Sequence, residues 1–360
     1  MSLSCGIVGL PNVGKSLLFR CLTKIAVPSE NYPFCTIGPS TGRLFVPDKR
    51  LNILETIIKP QKVIQTTMDF TDIAGLVKNA SKGEGLGNQF LGHIRQVESI
   101  VHVLRCFESD EIIHVHGRIN PLDDMQVVNM ELALADLEVV QKKLFSLEKS
   151  KKGASKKDLE NIEEHKKLLE KVKDILEEGT VLRKIQFEEE EKIFLDSLNL
   201  ITFKKTLYLC NIQDTNPFYD EIYKEAVAEG SDVLNVNIAF EAEILDLTDE
   251  EKIMFTEGKS SLIEVLIEKS YALLDLQTFF TAGVQEVRSW SFHKGFKAPQ
   301  AAGVIHSDFE KGFICAEIYH VNDLIEYKSV SKLKELGKIR LEGKEYLIKD
   351  GDICHFRFNV

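Results

Sequence analysis

A chain of 360 residues, 44% hydrophobic and 28% charged, is too long for one ordinary core and predicts a globular protein of two or three domains. Its formal charge of −11 argues against indiscriminate nucleic-acid binding by the whole chain and does not exclude a local basic patch. No apolar run reaches membrane-spanning length and Met1-Ser2-Leu3-Ser4 opens no secretory pattern, while seven scattered cysteines without a C-x-x-C pair predict reduced core thiols in a cytoplasmic protein.

In chain order, Cys5-Gly6-Ile7-Val8 reads as a short buried strand, and Leu17-Leu18-Phe19-Arg20-Cys21-Leu22 as the start of a helix. Between them, Gly9-Leu10-Pro11-Asn12-Val13-Gly14-Lys15-Ser16 spells G-x-x-x-x-G-K-S, a phosphate-binding P-loop in the strand–loop–helix setting that its chemistry requires. Glycines let backbone N–H groups curl around a polyphosphate, and the helix N-terminus adds positive potential. The expected nucleotide contacts here are Pro11, Asn12, Val13, Gly14, Lys15, Ser16 and Leu17. Lys15 would reach the β- and γ-phosphates, and Ser16 would bind Mg²⁺.

Further strand-like runs lie at 67–73, 99–106, 207–210 and 233–238, with a helical pattern at 217–229 between the last two. This alternation predicts a mostly parallel sheet covered by helices. Asp72-Ile73-Ala74-Gly75 ends the 67–73 run and matches the D-x-x-G element, in which Asp72 would reach Mg²⁺ and Gly75 would sense the γ-phosphate. Upstream, Thr36 in Asn31-Tyr32-Pro33-Phe34-Cys35-Thr36 is the candidate switch threonine and a third Mg²⁺ contact, although taken by itself it reads better as an ordinary loop threonine. Cys35 beside it is a passive thiol unless its pKa is lowered, in which case oxidation would disturb the switch. The glycine-rich Gly83-Glu84-Gly85-Leu86-Gly87-Asn88 reads as a second switch or as a structural turn.

Leu76 stands where Ras-like enzymes place the water-orienting glutamine, so another group must serve or hydrolysis must be slow. His114, in the loop after the 99–106 strand, is the nearest candidate, against the usual structural role of a lone histidine. At the end of the 207–210 strand, Asn211-Ile212-Gln213-Asp214 occupies the place of the base-reading N/T-K-x-D, with isoleucine in place of lysine. From chemistry alone the base preference stays open. Ala239, after the 233–238 run, marks the corresponding fifth loop.

Between the 99–106 and 207–210 strands the pattern changes. Leu137, Val140, Leu144 and Leu147, then Leu159, Ile162, Leu169, Val172 and Leu176, predict two antiparallel helices zipped by an apolar seam and turning at Gly153. Asp158 or Ser155 would cap the second helix, and 188–191 reads as a solvated acidic face. Lys149, Lys151, Lys152, Lys156 and Lys157 cluster at the tip, as a phosphate-neutralising patch or a plain solvated turn. A last amphipathic helix carries Leu262, Val265, Leu266, Tyr271 and Leu274. Beyond it 278–280, 313–319, 346–348 and 353–358 look like strands, with Lys349-Asp350-Gly351-Asp352 as a hairpin turn.

Residues 6–16, 32–36, 72–90, 105–115, 131–137, 277–290 (QTFFTAGVQEVRSW) and 301–312 (AAGVIHSDFEKG) together resemble the Obg-like ATPase (YchF) family, almost from end to end. The resemblance implies an α/β P-loop G domain of the TRAFAC type over 1–130 and 200–276. It further implies an inserted α-helical coiled-coil hairpin over 131–199 and a C-terminal α+β TGS domain of β-grasp shape over 277–360. It implies ATP preferred over GTP, because the family's altered fourth element, usually N-x-x-E, fails to select guanine. Here the last position is Asp214, which leaves some GTP use open. Asn211, Ile212, Asp214 and Ala239 would hold the base. His114 aligns with the histidine tied to water activation in the family, and Asn12 with an asparagine that helps hold K⁺. The implied role is a monomeric, ribosome-associated switch acting in translation or stress, with Mg²⁺ as cofactor. An Obg-type GTPase and a non-enzymatic ribosome-binding adaptor are the competing readings.

Overall fold

The computed structural model describes residues 3–26, 41–73, 86–151, 155–256 and 261–359, with backbone alone for 86–90 and 249. Thr36, Cys35 and their neighbours from Asn31, Gly75, Leu76, Gly83-Glu84-Gly85 and the turn centre Lys152-Gly153 lie outside the described residues. In chain order the strands are β1 (Ser4–Val8), β2 (Thr41–Phe45), β3 (Lys62–Ile64), β4 (Thr67–Asp72), β5 (Ser99–Arg105), β6 (Lys205–Asn211), β7 (Asp232–Val236), β8 (Leu276–Ala282), β9 (Glu286–His293), β10 (Phe313–His320), β11 (Arg340–Glu342) and β12 (Asp352–Phe358). They form two sheets, and the chain divides into two compact units, 1–44 with 69–266 and 45–68 with 267–360.

The first unit holds the sheet β2-β4-β1-β5-β6-β7. From β4 through β7 every adjacent pair is parallel. All seven residues of β5 are buried, as are all but the first of β6, which is why these segments read as continuous apolar runs rather than alternating ones. Side chains of Leu104, Met125, Tyr208, Ile222 and Val233 form one apolar cluster against this sheet. The six described cysteines are free thiols, five of them buried, as a reduced core requires.

The hairpin helices are Pro121–Ser150 and Lys156–Glu177. The first begins at Pro121, earlier than the expected 131, because Asn120 accepts the Asp123 N–H and proline fits the first helical position. Ser155 and Asp158 cap the second helix together, as a reciprocal capping box. The helices run antiparallel, since Lys166 reaches Glu148 at 2.6 Å while Lys151 reaches Glu163 at 3.2 Å. Val140, Leu169, Val172 and Leu176 form the buried seam, each contributing about 1.5–3 kcal/mol. Leu159, expected in the seam, is 40% exposed, near the tip where the partner helix has ended. At the tip, Lys151 is already ion-paired with Glu148 and Glu163. Lys156 and Lys157 are exposed, and Lys149 lies over the Phe145 ring.

Buried polar groups tie the root of the hairpin to the sheet. Asp136, fully buried, accepts hydrogen bonds from Ile201 N, Thr202 N and Thr202 Oγ1 and pairs with Arg95 at 2.9 Å. Arg95 ends the helix Leu86–Gln96, which follows the D-x-x-G segment. Accordingly, 131–199 does not separate as a unit of its own but groups with the first sheet.

The second unit contains the sheet β11-β10-β12-β8-β9-β3. Its middle pair, β12 and β8, is parallel, and antiparallel neighbours flank it, β10 beside β12 and β9 beside β8. Helix Ala298–Ile305 packs against β9 and β10 over Phe279, Phe292, Phe313 and Phe356. Residues 45–68, which the family resemblance placed in the first domain, group with this unit. Asp48 caps helix Lys49–Ile58, whose Leu51 and Leu54 pack with Phe280, Val287 and Ile353, and β3 pairs with β9 in parallel. The apolar face of such a helix demands a partner, but three-four spacing does not say which core supplies it. The expected strand at 346–348 is also absent. Leu347 makes one isolated bridge to Lys297, Ile348 is buried in the core and Tyr346 packs against its edge.

Candidate functional site

The P-loop lies between β1 and helix Lys15–Lys24. Gly9 (φ +151°) and Gly14 (φ +105°) have backbones that side chains rarely adopt. A Cβ on Gly9 would stand 2.5 Å from the Val103 carbonyl oxygen, and one on Gly14 would stand 2.5 Å from Asn211 Nδ2. Both glycines are therefore required by close approach as well as by conformation. Lys15 is 8% exposed, and its ammonium donates to the carbonyls of Gly9 at 2.9 Å and Leu10 at 2.6 Å. Burial pulls its pKa down to about 8, with the Asp72 carboxylate acting in the opposite sense. Burial likewise raises Asp72, against the pull of Lys15. The register Ile7↔Asp72 sets that carboxylate on β4 beside the strand that feeds the P-loop.

A cavity of about 820 Å³ opens at the ends of these strands, where open parallel sheets hold their ligands. Asn12, Gly14, Lys15, Ser16 and Leu17 of the P-loop line it, together with Ile212, Asp214 and Ala239. Pro11 and Val13 are not among its lining residues; Val13 is 1% exposed and packs inward. Sequence reasoning missed Phe107, Glu108, Ser109 and Ile112 from the loop after β5, as well as Phe240 and Glu243. None carries a motif, and an aromatic beside a charged residue in a loop gives no signal until the loop is placed.

Two expected roles change. Asn211 lines the cavity, but its side chain is spent on the protein. Its Nδ2 donates to Val13 O at 3.0 Å, and its Oδ1 accepts from Ile238 N at 3.3 Å. It clamps the P-loop to the fifth loop and does not present an amide to a base. Asn237 fixes the same corner, donating to Gln213 O and capping helix Ile238–Ile244.

His114 is not among the cavity residues. It is 7% exposed, with Nε2 at 2.9 Å from Asp124 Oδ2 and Nδ1 accepting the His116 N–H at 3.2 Å. The acceptor role of Nδ1 puts the proton of the neutral ring on Nε2, so the ring donates to Asp124 and has no free lone pair. His114, His116 and Asp124 bring three ligand-type atoms within 4.8 Å. A metal at Nε2 would require the proton to move to Nδ1, against the facing His116 N–H, so this arrangement suits a hydrogen-bonded anchor better than a metal centre. The loop is also held by Asn12 Nδ2 on Ile113 O at 3.1 Å and by Arg105 on Ile112 O at 2.8 Å.

The position of Lys15 predicts a pH dependence. A phosphate tail requires the ammonium form, and in the empty pocket that form is lost as pH rises through about 8. A bound polyanion raises the pKa, so binding takes up a proton above that point and affinity falls by up to about tenfold per unit. Nucleotide Kd measured from pH 7 to 9.5 should be flat below 8 and rise above it, whereas a flat line throughout would contradict this electrostatic account.

Residues 4–142 match a family model described as a 50S ribosome-binding GTPase, and residues 276–359 match the YchF-GTPase C-terminal model, described as a protein of unknown function. Full-length relatives named ribosome-binding ATPase YchF include those of Haemophilus influenzae (48% identical), Escherichia coli O157:H7 (49%) and Bacillus subtilis (48%), each alignment covering 100% of both chains. The solved structure of the Schizosaccharomyces pombe YchF GTPase superposes with a TM-score of 0.87 at 39% identity, covering 99% of this chain and 98% of that one. With its P-loop, its parallel sheet and this end-to-end similarity, the chain belongs to the YchF family.

Proposed function

We propose that this protein is a Mg²⁺-dependent ATP hydrolase that works as a ribosome-associated conformational switch. The observation that carries the base preference is the wall opposite the P-loop. Ile212 stands where a guanine-selecting lysine would lie, and Phe107 and Phe240 line the same cavity. An apolar slot suits the flat face of adenine, which lacks the N–H groups that a guanine-reading aspartate accepts. Asp214 favours the second reading, a GTPase. Competition between ATP and GTP at equal concentration decides between them: ATP should bind about tenfold tighter or more, ~1.4 kcal/mol. Ile212→Lys should move the ratio toward GTP. Equal binding, or GTP preferred by the unaltered chain, would favour the GTPase.

In the hydrolytic step, the Lys15 ammonium leaves the Gly9 and Leu10 carbonyls for the β- and γ-phosphate oxygens, where it stabilises charge developing in transfer. Ser16 Oγ and the Asp72 carboxylate are hard oxygen donors suited to Mg²⁺, joined by Thr36. Held by those residues, the ion would supply charge neutralisation to the phosphate tail. Thr36 and Gly75 sense the γ-phosphate. Asn12, whose amide nitrogen donates to Ile113 O, would offer its side-chain oxygen to K⁺. Water attacks the γ-phosphorus as the bond to the β,γ-bridging oxygen breaks and ADP leaves, and the water proton passes to His114 Nδ1, which requires the ring to give up the His116 N–H that now occupies that lone pair.

The ribosome enters through the relatives' names and the first model's description. The exposed Lys156 and Lys157 give the hairpin tip a phosphate-facing charge. The parallel β8–β12 pair under one helix supports a β-grasp, TGS-like reading of the C-terminal sheet. No helix among the described residues is long and apolar enough to cross a membrane. We read the protein as a cytoplasmic monomer.

A further inference from the structure

We propose that the C-terminal unit carries a second ligand site, a cavity of about 380 Å³ at the start of β12 that takes a ribose phosphate through Asp352, Lys349 and Arg340. The volume is within the range of small-ligand pockets.

Asp352 is the anchor. It is fully buried, and its Oδ2 accepts from Lys349 N at 2.9 Å and Tyr346 Oη at 3.0 Å. Its Oδ1, equally buried, has no hydrogen-bond partner. A buried carboxylate oxygen left unmatched is costly and rare, and a residue in this state that lines a cavity calls for a donor from a ligand. The rim supplies the opposite character. Lys349 is exposed, and no ion pair among the described residues engages it. Arg340 donates to Tyr346 Oη at 3.1 Å, which ties the cationic rim to the Asp352 anchor, and its Nε lies 3.6 Å from the Glu342 carboxylate, a loose ion pair that a phosphate would compete with. Lys338 is paired with Asp323 at 2.9 Å, and His320 is held by Asp350 O at 3.0 Å, so these two shape the wall. Gly337, at φ +67°, leaves open space where a side chain would stand.

The occupant must bring an O–H or N–H donor for Asp352 and an anion for Lys349 and Arg340. A ribose bearing a phosphate brings both. Carboxylates accept from ribose hydroxyls in nucleotide sites, and guanidinium and ammonium groups pair with phosphate. The same chemistry is offered by a free nucleotide and by the 3′ end of an RNA.

The full chain, with its P-loop filled by ADP and Mg²⁺, should be titrated with ribose 5-phosphate by calorimetry. Saturable binding is expected, weakened tenfold or more in Lys349→Ala and in Asp352→Asn, and weakened for 2-deoxyribose 5-phosphate. Lys349 is exposed, so its variant tests the site even if Asp352→Asn folds poorly. No saturable binding, or unchanged affinity in Lys349→Ala, would overturn the proposal. A short RNA with a free 3′ ribose, compared with the same RNA ending in a 2′,3′-dideoxy residue, separates the sources. Tighter binding of the free end than of ribose 5-phosphate assigns the site to RNA, weaker binding assigns it to free nucleotides, and indifference to the hydroxyls together with indifference to the Asp352 variant rejects it.

Discussion

Lys15→Ala is expected to reduce multiple-turnover ATP hydrolysis by at least about 100-fold, the scale on which removing one preorganised charge or donor acts. The native ammonium is already desolvated and held at the mouth of the P-loop by two carbonyls. The Lys15 side chain lines an open cavity, so water entering the space it vacates replaces the lost donor in the variant and the protein without nucleotide should unfold near its usual temperature. What should vanish is the stabilisation by nucleotide, about 2.7 kcal/mol at a ligand concentration 100 times the native Kd. Phosphate release and thermal unfolding, each with and without ATP, measure both effects. Turnover within a few-fold of the unaltered chain would remove Lys15 from the mechanism.

Glu229→Ala should be the most damaging single change outside the nucleotide site. Arg183 and Glu229 have side chains only 5% and 6% exposed, with a closest approach of 2.8 Å. Tyr208 donates to the same carboxylate oxygen at 2.7 Å, and Asn129 accepts from Arg183 at 2.9 Å. This network joins the hairpin helix, the 182–184 turn, β6 and the segment after helix Tyr219–Ala228. Removing Glu229 strands a buried guanidinium whose Nη1 already lacks a partner. Breaking such a pair costs about 3–5 kcal/mol. Urea unfolding should show this as a lowered midpoint. Adding Arg183→Met to Glu229→Gln removes both charges and should recover part of the loss, so the two changes should be markedly non-additive. A Glu229→Ala midpoint within error of the unaltered chain would show that the pair is solvated in solution.

The candidate site was legible in the sequence wherever chemistry demands a fixed local spacing. Gly9, Gly14, Lys15 and Ser16 lie in one continuous stretch, and both glycines carry positive φ and neighbours too close for a side chain, the Val103 carbonyl at Gly9 and the Asn211 amide at Gly14. Ser155 and Asp158 were readable as caps for the same reason, since a helix N-terminus satisfies its own donors within one turn. His114 and Asn211 were visible as residues but not as geometries. Whether an imidazole faces phosphate or Asp124, and whether an amide faces a base or Val13 O, depends on partners 10 and 198 positions away. Phe107 and Phe240 carry no pattern at all and become a wall only when β5 and β7 lie two strands apart in one sheet.

By itself the sequence determined that a strand–loop–helix grips phosphate, that strands alternate with helices around it, and that a long hairpin interrupts them, because each is set by neighbours within a few turns of chain. Only the tertiary structure decided that 45–68 completes the C-terminal sheet, that Asp136 and Glu229 root the hairpin, and that Asp352 faces a cavity with one oxygen unmatched. Those outcomes rest on which buried surfaces and charges meet across long stretches of sequence. Apolar spacing tells a segment to be buried, but not against what.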